Sequence, residues 1–134
     1  MYKKHISLLL VLTCLALLAA CGKKDEQVGA VIKDINSFTD ELVKKVESAP
    51  NPSAGVDEAQ KYMDAHKSEI RSKWDSIKNI SENQVSDDAK KKMQEDLFND
   101  GKKLGELIAK YGSDQAVNAK LQKLVQDFQD LFKM

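Results

Sequence analysis

Four apolar stripes, each recurring every three or four residues, predict an all-α protein, an up-down-up-down four-helix bundle. Turn formers are scarce, as that class requires. The 134 residues hold six glycines and two prolines, too few for a domain of many short strands. Charge points the same way: 31% of the chain is Asp, Glu, Lys or Arg, and lysine- and glutamate-rich text favours helix. A three-helix bundle with a loosely docked first helix is the alternative.

The first stripe runs Val28, Val31, Ile32, Ile35, Phe38, Leu42, Val43, Val46. Pro50 and Pro52 stop it and restrict the residues before them. Ser53 can cap a second helix carrying Val56, Ala59, Met63, His66, Ile70, Trp74, Ile77 and Ile80 on one side. Ser81–Ser86 is polar. Ser86 with Asp87 and Asp88 makes a good helix start, because a side-chain oxygen and negative charge both suit free N–H groups. The third stripe is Met93, Leu97, Phe98, Leu104, Leu107, Ile108 and Tyr111. Gly112 suits a left-handed helix end, and Ser113 the next N-cap. The fourth stripe is Val117, Leu121, Leu124, Val125, Phe128, Leu131 and Phe132.

Each helix is apolar on one face and must bury that face against the others. Lengths of about 20 to 26 residues give rods of roughly 30 to 40 Å, and short links between such rods favour alternating directions. The links at Pro50–Ser53 and Gly112–Ser113 then share one end of the bundle. Ser81–Ser86 and Met134 share the other with the start of the first helix.

The N-terminus has a different character. Lys3 and Lys4 precede a 15-residue apolar run, Ile6 to Ala20, and Ala19-Ala20 stand directly before Cys21. A spanning helix needs roughly 20 apolar residues. A positive start, a shorter apolar run and small residues at its end form a signal-peptide pattern instead. Leu18-Ala19-Ala20-Cys21 resembles the lipobox of bacterial lipoprotein precursors. The resemblance covers only Met1–Cys21 and the residue after it. It implies that residues 1–20 are cleaved, that Cys21 is the lipid attachment site carrying fatty acyl chains such as palmitate, and that residues 21–27 form an acylated, polar tether. The helical bundle domain is then 28–134. Gly22, where an aspartate commonly retains such proteins in the inner membrane, implies the outer membrane and a periplasmic face in a Gram-negative source. One acyl chain holds a protein only marginally, whereas the two or three of this class anchor it durably.

Cysteine use fits that division. Cys14 leaves with the signal and Cys21 takes the lipid, so the rest has no thiol for a disulfide, a nucleophile or a zinc site. Residues 1–20 carry two lysines and no acid, so 21 charges of each sign become 19 basic against 21 acidic. That balance gives no footprint for nucleic acid, and Arg71 is the single arginine.

Few residues invite a chemical reading. His66, the histidine that survives processing, is a weak candidate for an axial haem ligand, with Met63 or Met93 opposite. The plainer reading is a seam histidine. Covalent haem attachment lacks its Cys-x-x-Cys-His, a di-metal site lacks Glu-x-x-His, and no EF-hand loop occurs. Asp57-Glu58, Asp87-Asp88 and Glu95-Asp96 are expected as solvated helix surface rather than acid–base pairs. Lys90-Lys91-Lys92 and Lys102-Lys103 read as wet faces before anionic-lipid contacts. Gly101 and Gly105, four apart, would let another helix approach closely. Trp74 reads as a core or rim aromatic.

The expectation is therefore a lipid-anchored, non-enzymatic helical envelope protein, membrane-bound through Cys21, with an envelope protein as partner and no cofactor or metal. A small-ligand or haem carrier using the bundle interior is the second expectation, an envelope enzyme the third.

Overall fold

The computed structural model describes the backbone of residues 2–133 and the side chains of residues 24–81 and 83–133. Four helices follow one another: α1 (Tyr2–Ser48), α2 (Pro52–Lys78), α3 (Asp87–Tyr111) and α4 (Gln115–Leu131), with a short 3-10 turn at Glu82–Gln84. The all-α four-helix bundle expected from the stripes is the observed architecture. The first helix is not loosely docked. It packs on both α2 and α3, and Ile35 and Leu42 have no exposure.

Directions alternate along the chain, but neighbours in sequence are not always neighbours in space. α1 lies between α2 and α3, and α4 closes the square by packing on the same two helices. The α2–α3 connection therefore crosses a diagonal, and the 3-10 turn rests against α1 on the way. Asp25 of α1 accepts the Ser86 backbone N–H at 2.9 Å and fastens this crossing. The Ser86 hydroxyl first, and its backbone N–H second, hold the Asp25 carboxyl below its usual range by favouring the anion.

Parallel neighbours are keyed by charge. Lys103 reaches Asp40 at 2.6 Å, Lys110 reaches Glu47 at 2.9 Å and Lys120 reaches Asp57 at 2.7 Å. Each lysine stands 63 residues after its acid, so the α3–α4 hairpin sits on the α1–α2 hairpin in one fixed register.

Local endings differ from the expected ones in instructive ways. Asn51, not Ser53, caps α2: its side chain accepts the Ala54 N–H, and Pro52 occupies the first turn. Proline lacks a hydrogen that this position would leave free anyway, so Pro52 starts a helix rather than merely stopping one. Ser86 caps α3 as expected. Asp114 rather than Ser113 caps α4, accepting from both Ala116 and Val117. Gly112 has φ −78° and is not left-handed. It is tight for a different reason, since a Cβ there would stand 2.8 Å from Asn118 Nδ2, which donates to the Gly112 carbonyl. Lys24–Gln27, expected as a polar tether, continues α1 in helical form.

The core gathers the apolar residues of the four stripes, with one exception. Leu104 and Leu107 are buried and Met93, Leu97, Ile108 and Tyr111 pack against the core, but Phe98 is 72% exposed. A run of aromatic contacts links Trp74, Phe132, Phe128, Phe38 and Tyr62 through three helices.

Candidate functional site

Leu18, Ala19, Ala20 and Cys21, whose pattern resembles a lipobox, lie outside the residues whose side chains are described. Among the described residues no helix is long and apolar enough to cross a membrane. No group of three or more His, Cys, Asp or Glu among them could hold a metal ion.

His66 lies on the rim of α2. Its ring rests on Tyr62 with centroids 4.1 Å apart, and Nδ1 donates to the Tyr62 carbonyl at 2.9 Å. Met63 is fully buried one turn away on the same helix, so the two cannot face each other across a haem. The hollow beside His66 measures about 170 Å³ and is rimmed by Asp34, Glu41, Glu69 and Lys73. That falls below the 300–1,000 Å³ or so of ordinary small-molecule sites. Met93 belongs to another part of the molecule, against Val28 and Trp74.

The acidic pairs are held by surface lysines. Asp57 meets Lys120, Glu58 meets Lys61 at 2.8 Å, Asp87 meets Lys90 at 3.2 Å and Asp96 meets Lys92 at 2.9 Å. Lys61 holds the Glu58 carboxyl below its usual range through a hydrogen bond and its charge. Lys91 and Lys102 face Glu95 and Glu106 one turn on. Lys91, Lys92 and Lys102 are exposed and laced by ion pairs, whereas Lys90 is half-buried on the side of α3. Gly101 and Gly105 have open space where a Cβ would stand, so no helix of the bundle uses them for close approach.

Two features escaped the sequence reading. Asp100, on the inner side of α3, is 1% exposed, with Thr39 of α1 buried beside it. Thr39 donates its single hydroxyl proton to the Ile35 carbonyl at 3.0 Å, and Asp100 Oδ2 meets no donor. Burial pushes the Asp100 carboxyl up to about 6, although the Lys103 ammonium at 3.6 Å opposes the shift. Asp100 stands between Leu97 and Leu104 on the same face, and an apolar period passes over a polar residue, which is why it was missed.

The second feature is a cavity of about 330 Å³ at the end where α2 finishes and α3 begins. Val28, Trp74, Ile77, Ile80, Val85 and Met93 form its apolar wall, and Lys78, Lys90 and Gln94 complete the lining. Helix lengths explain it. α3 has 25 residues and α4 only 17, so at 1.5 Å per residue α4 stops about 12 Å short of the start of α3. The last turns of α2 and the first turns of α3 thus lack a fourth helix, and a hollow stands in its place.

Comparisons with family models, curated proteins and solved structures give no match for this chain.

Proposed function

We propose that this protein is a lipid-anchored, non-enzymatic helical protein of the bacterial envelope that acts as an interaction or structural module. Leu18-Ala19-Ala20-Cys21 carries the reading. Acylation of Cys21 would hold the domain at one membrane face and raise its local concentration against any partner there. Seven helical residues span only about 10 Å, so helical continuation through Lys24–Gln27 suits a domain held close to lipid. The outward face of α3 suits an envelope protein partner. Phe98, Gly101 and Gly105 share that face, pairing one exposed aromatic with two positions that admit close approach.

Metabolic labelling with a fatty acid tests the anchor. The wild-type chain takes up label and Cys21→Ser does not; equal label on both removes the reading. A second reading, a small-ligand carrier, is favoured by one observation, the hollow beside Trp74. His66 takes no part in it.

A further inference from the structure

The hollow left by the short fourth helix has the chemistry of a binding site rather than of a packing fault. At about 330 Å³ it lies within the usual range for small-molecule sites, and most of its lining side chains are apolar. A second, smaller hollow of about 110 Å³ between α1 and α3 shares Val28 and Met93 with it. Met93 has three flexible bonds, so its side chain can swing and join the two. Trp74 is 7% exposed, and its indole N–H meets no acceptor among the described residues. A buried donor left unpaired is destabilising, which an oxygen-bearing guest would relieve.

Charge narrows the guest. Both charged residues in the lining are lysines, Lys78 and Lys90, with their stems against the wall. Their carboxylate partners, Asp75 and Asp87, stand outside the lining, and Asp87 is 99% exposed. An apolar chamber with a cationic mouth is complementary to a long apolar tail ending in an anion. We propose that this cavity binds one fatty acid, its acyl chain between Ile77, Val85 and Met93 and its carboxylate at Lys78 and Lys90. An acyl group esterified or amidated on the chain's own Cys21 has the same tail but no anionic head, and the two lysines favour the free acid over it. The site deepens the carrier reading and does not depend on the anchor, since failure of Cys21 to take label would leave the cavity as it is.

The test uses the full chain purified in an amphipathic polymer and a dodecanoate bearing a photoreactive diazirine near the tail end. Photolysis and peptide mass spectrometry should place adducts within residues 74–78 and 90–94. Excess dodecanoate should suppress them and excess dodecylammonium should not. Trp74, the single tryptophan, should change its fluorescence in step. Lys78→Glu with Lys90→Glu, both half-buried at the cavity mouth, should lower apparent affinity about tenfold with the helical circular dichroism intact. Met93→Phe should block entry by filling the hollow; if it unfolds, the lysine pair still decides. Adducts confined to other residues would overturn the site. Equal competition by dodecylammonium would reduce it to apolar partition and overturn the fatty acid. Labelling that appears only in Cys21→Ser would mean the cavity holds the chain's own acyl group, which also defeats the proposal.

Discussion

The two ends of the bundle are built to different standards. At the end with the Pro50 and Gly112 turns, all four helices are present. There α1 and α2 approach so closely that a Cβ on Gly55 would stand 2.5 Å from the Val46 carbonyl oxygen. At the opposite end α4 is missing from its corner, and a hollow of about 330 Å³ remains behind Trp74. The same stripes of Val, Leu and Ile line both ends, so composition is not the difference. Helix length is. A bundle stays close-packed only as far as its shortest helix reaches, and beyond that point the other three must either collapse or enclose space.

The largest expected effect tests the close-packed part. Leu124 is fully buried on α4, and an unpaired charge there costs several kcal/mol out of roughly 5–15 kcal/mol for a whole domain. Leu124→Asp should therefore lose its cooperative urea transition or shift it far downward. Lys91→Asp changes an exposed residue whose nearest acid, Glu95, is 3.9 Å away, and should stay within about 0.5 kcal/mol. Equal midpoints would show that α4 is not in the core.

The next effect compares the two ends directly. Gly55→Ala forces a methyl group into the Val46 backbone and should cost about 1–3 kcal/mol, as overpacking does. Val85→Ala removes two methyl groups beside space that is already open, so little new cavity is created. Its cost should stay near the transfer value of about 1.5 kcal/mol. Urea midpoints of the two variants measure the contrast, and a costlier Val85→Ala would mean the open end is packed as tightly as the closed one.

The smallest effect lies between the ends, at Asp100. Its folded carboxyl is raised to about 6 from 3.8, so the folded state binds the proton more tightly than the unfolded chain does. Stability from this group is complete below pH 3.8 and is lost as pH rises through about 6. Urea midpoints should therefore climb as pH falls from 7 toward 5. From pH 7 to 5 the gain should be about 1.3 kcal/mol of the roughly 3 kcal/mol the whole shift carries, a shift that already contains the opposing Lys103 ammonium and the reinforcing Asp40 carboxylate. Asp100→Asn should flatten that slope. Below about pH 4.5 the exposed acids held low by lysines, such as Glu58, Glu69 and Asp75, pull stability the other way.

The sequence made some of this visible and hid the rest for physical reasons. The number of helices and most core positions follow from the 3.6-residue period alone, because burial of one face is what selects it. The Ser86 cap was equally plain, since serine and two aspartates at a helix start leave little choice. At α2 the choice was open: Asn51 and Ser53 can both cap, and Pro52 between them settles it by favouring the first helical position. Phe98 looked buried because it adjoins Leu97, yet at 100° per residue it lies well off the Met93, Leu97, Leu104 and Leu107 line, on the face of Gly101 and Gly105. Asp100 and Thr39 interrupt an apolar face with polar atoms and so carry no periodic mark. The hollow follows from the observed helix lengths, 25 residues in α3 against 17 in α4, which the apolar stripes did not mark. Among the candidate site residues, His66 lies on the rim of α2 and bonds within its own helix, to the Tyr62 carbonyl. The wall around Trp74 was read only as core.

The fixed spacing between the acids of the first hairpin and the lysines of the second has a kinetic meaning. Each hairpin is local in sequence and can form early, whereas the two must then find each other across 63 residues. Asp40, Glu47 and Asp57 present one sign to that encounter, and Lys103, Lys110 and Lys120 the other. Opposite charge accelerates a meeting of surfaces more than it strengthens the finished contact, and exposed pairs of this kind contribute only about 0–1 kcal/mol each. The ladder thus acts on the path to the bundle: added salt slows the docking of one hairpin on the other and leaves the docked state nearly as stable as before.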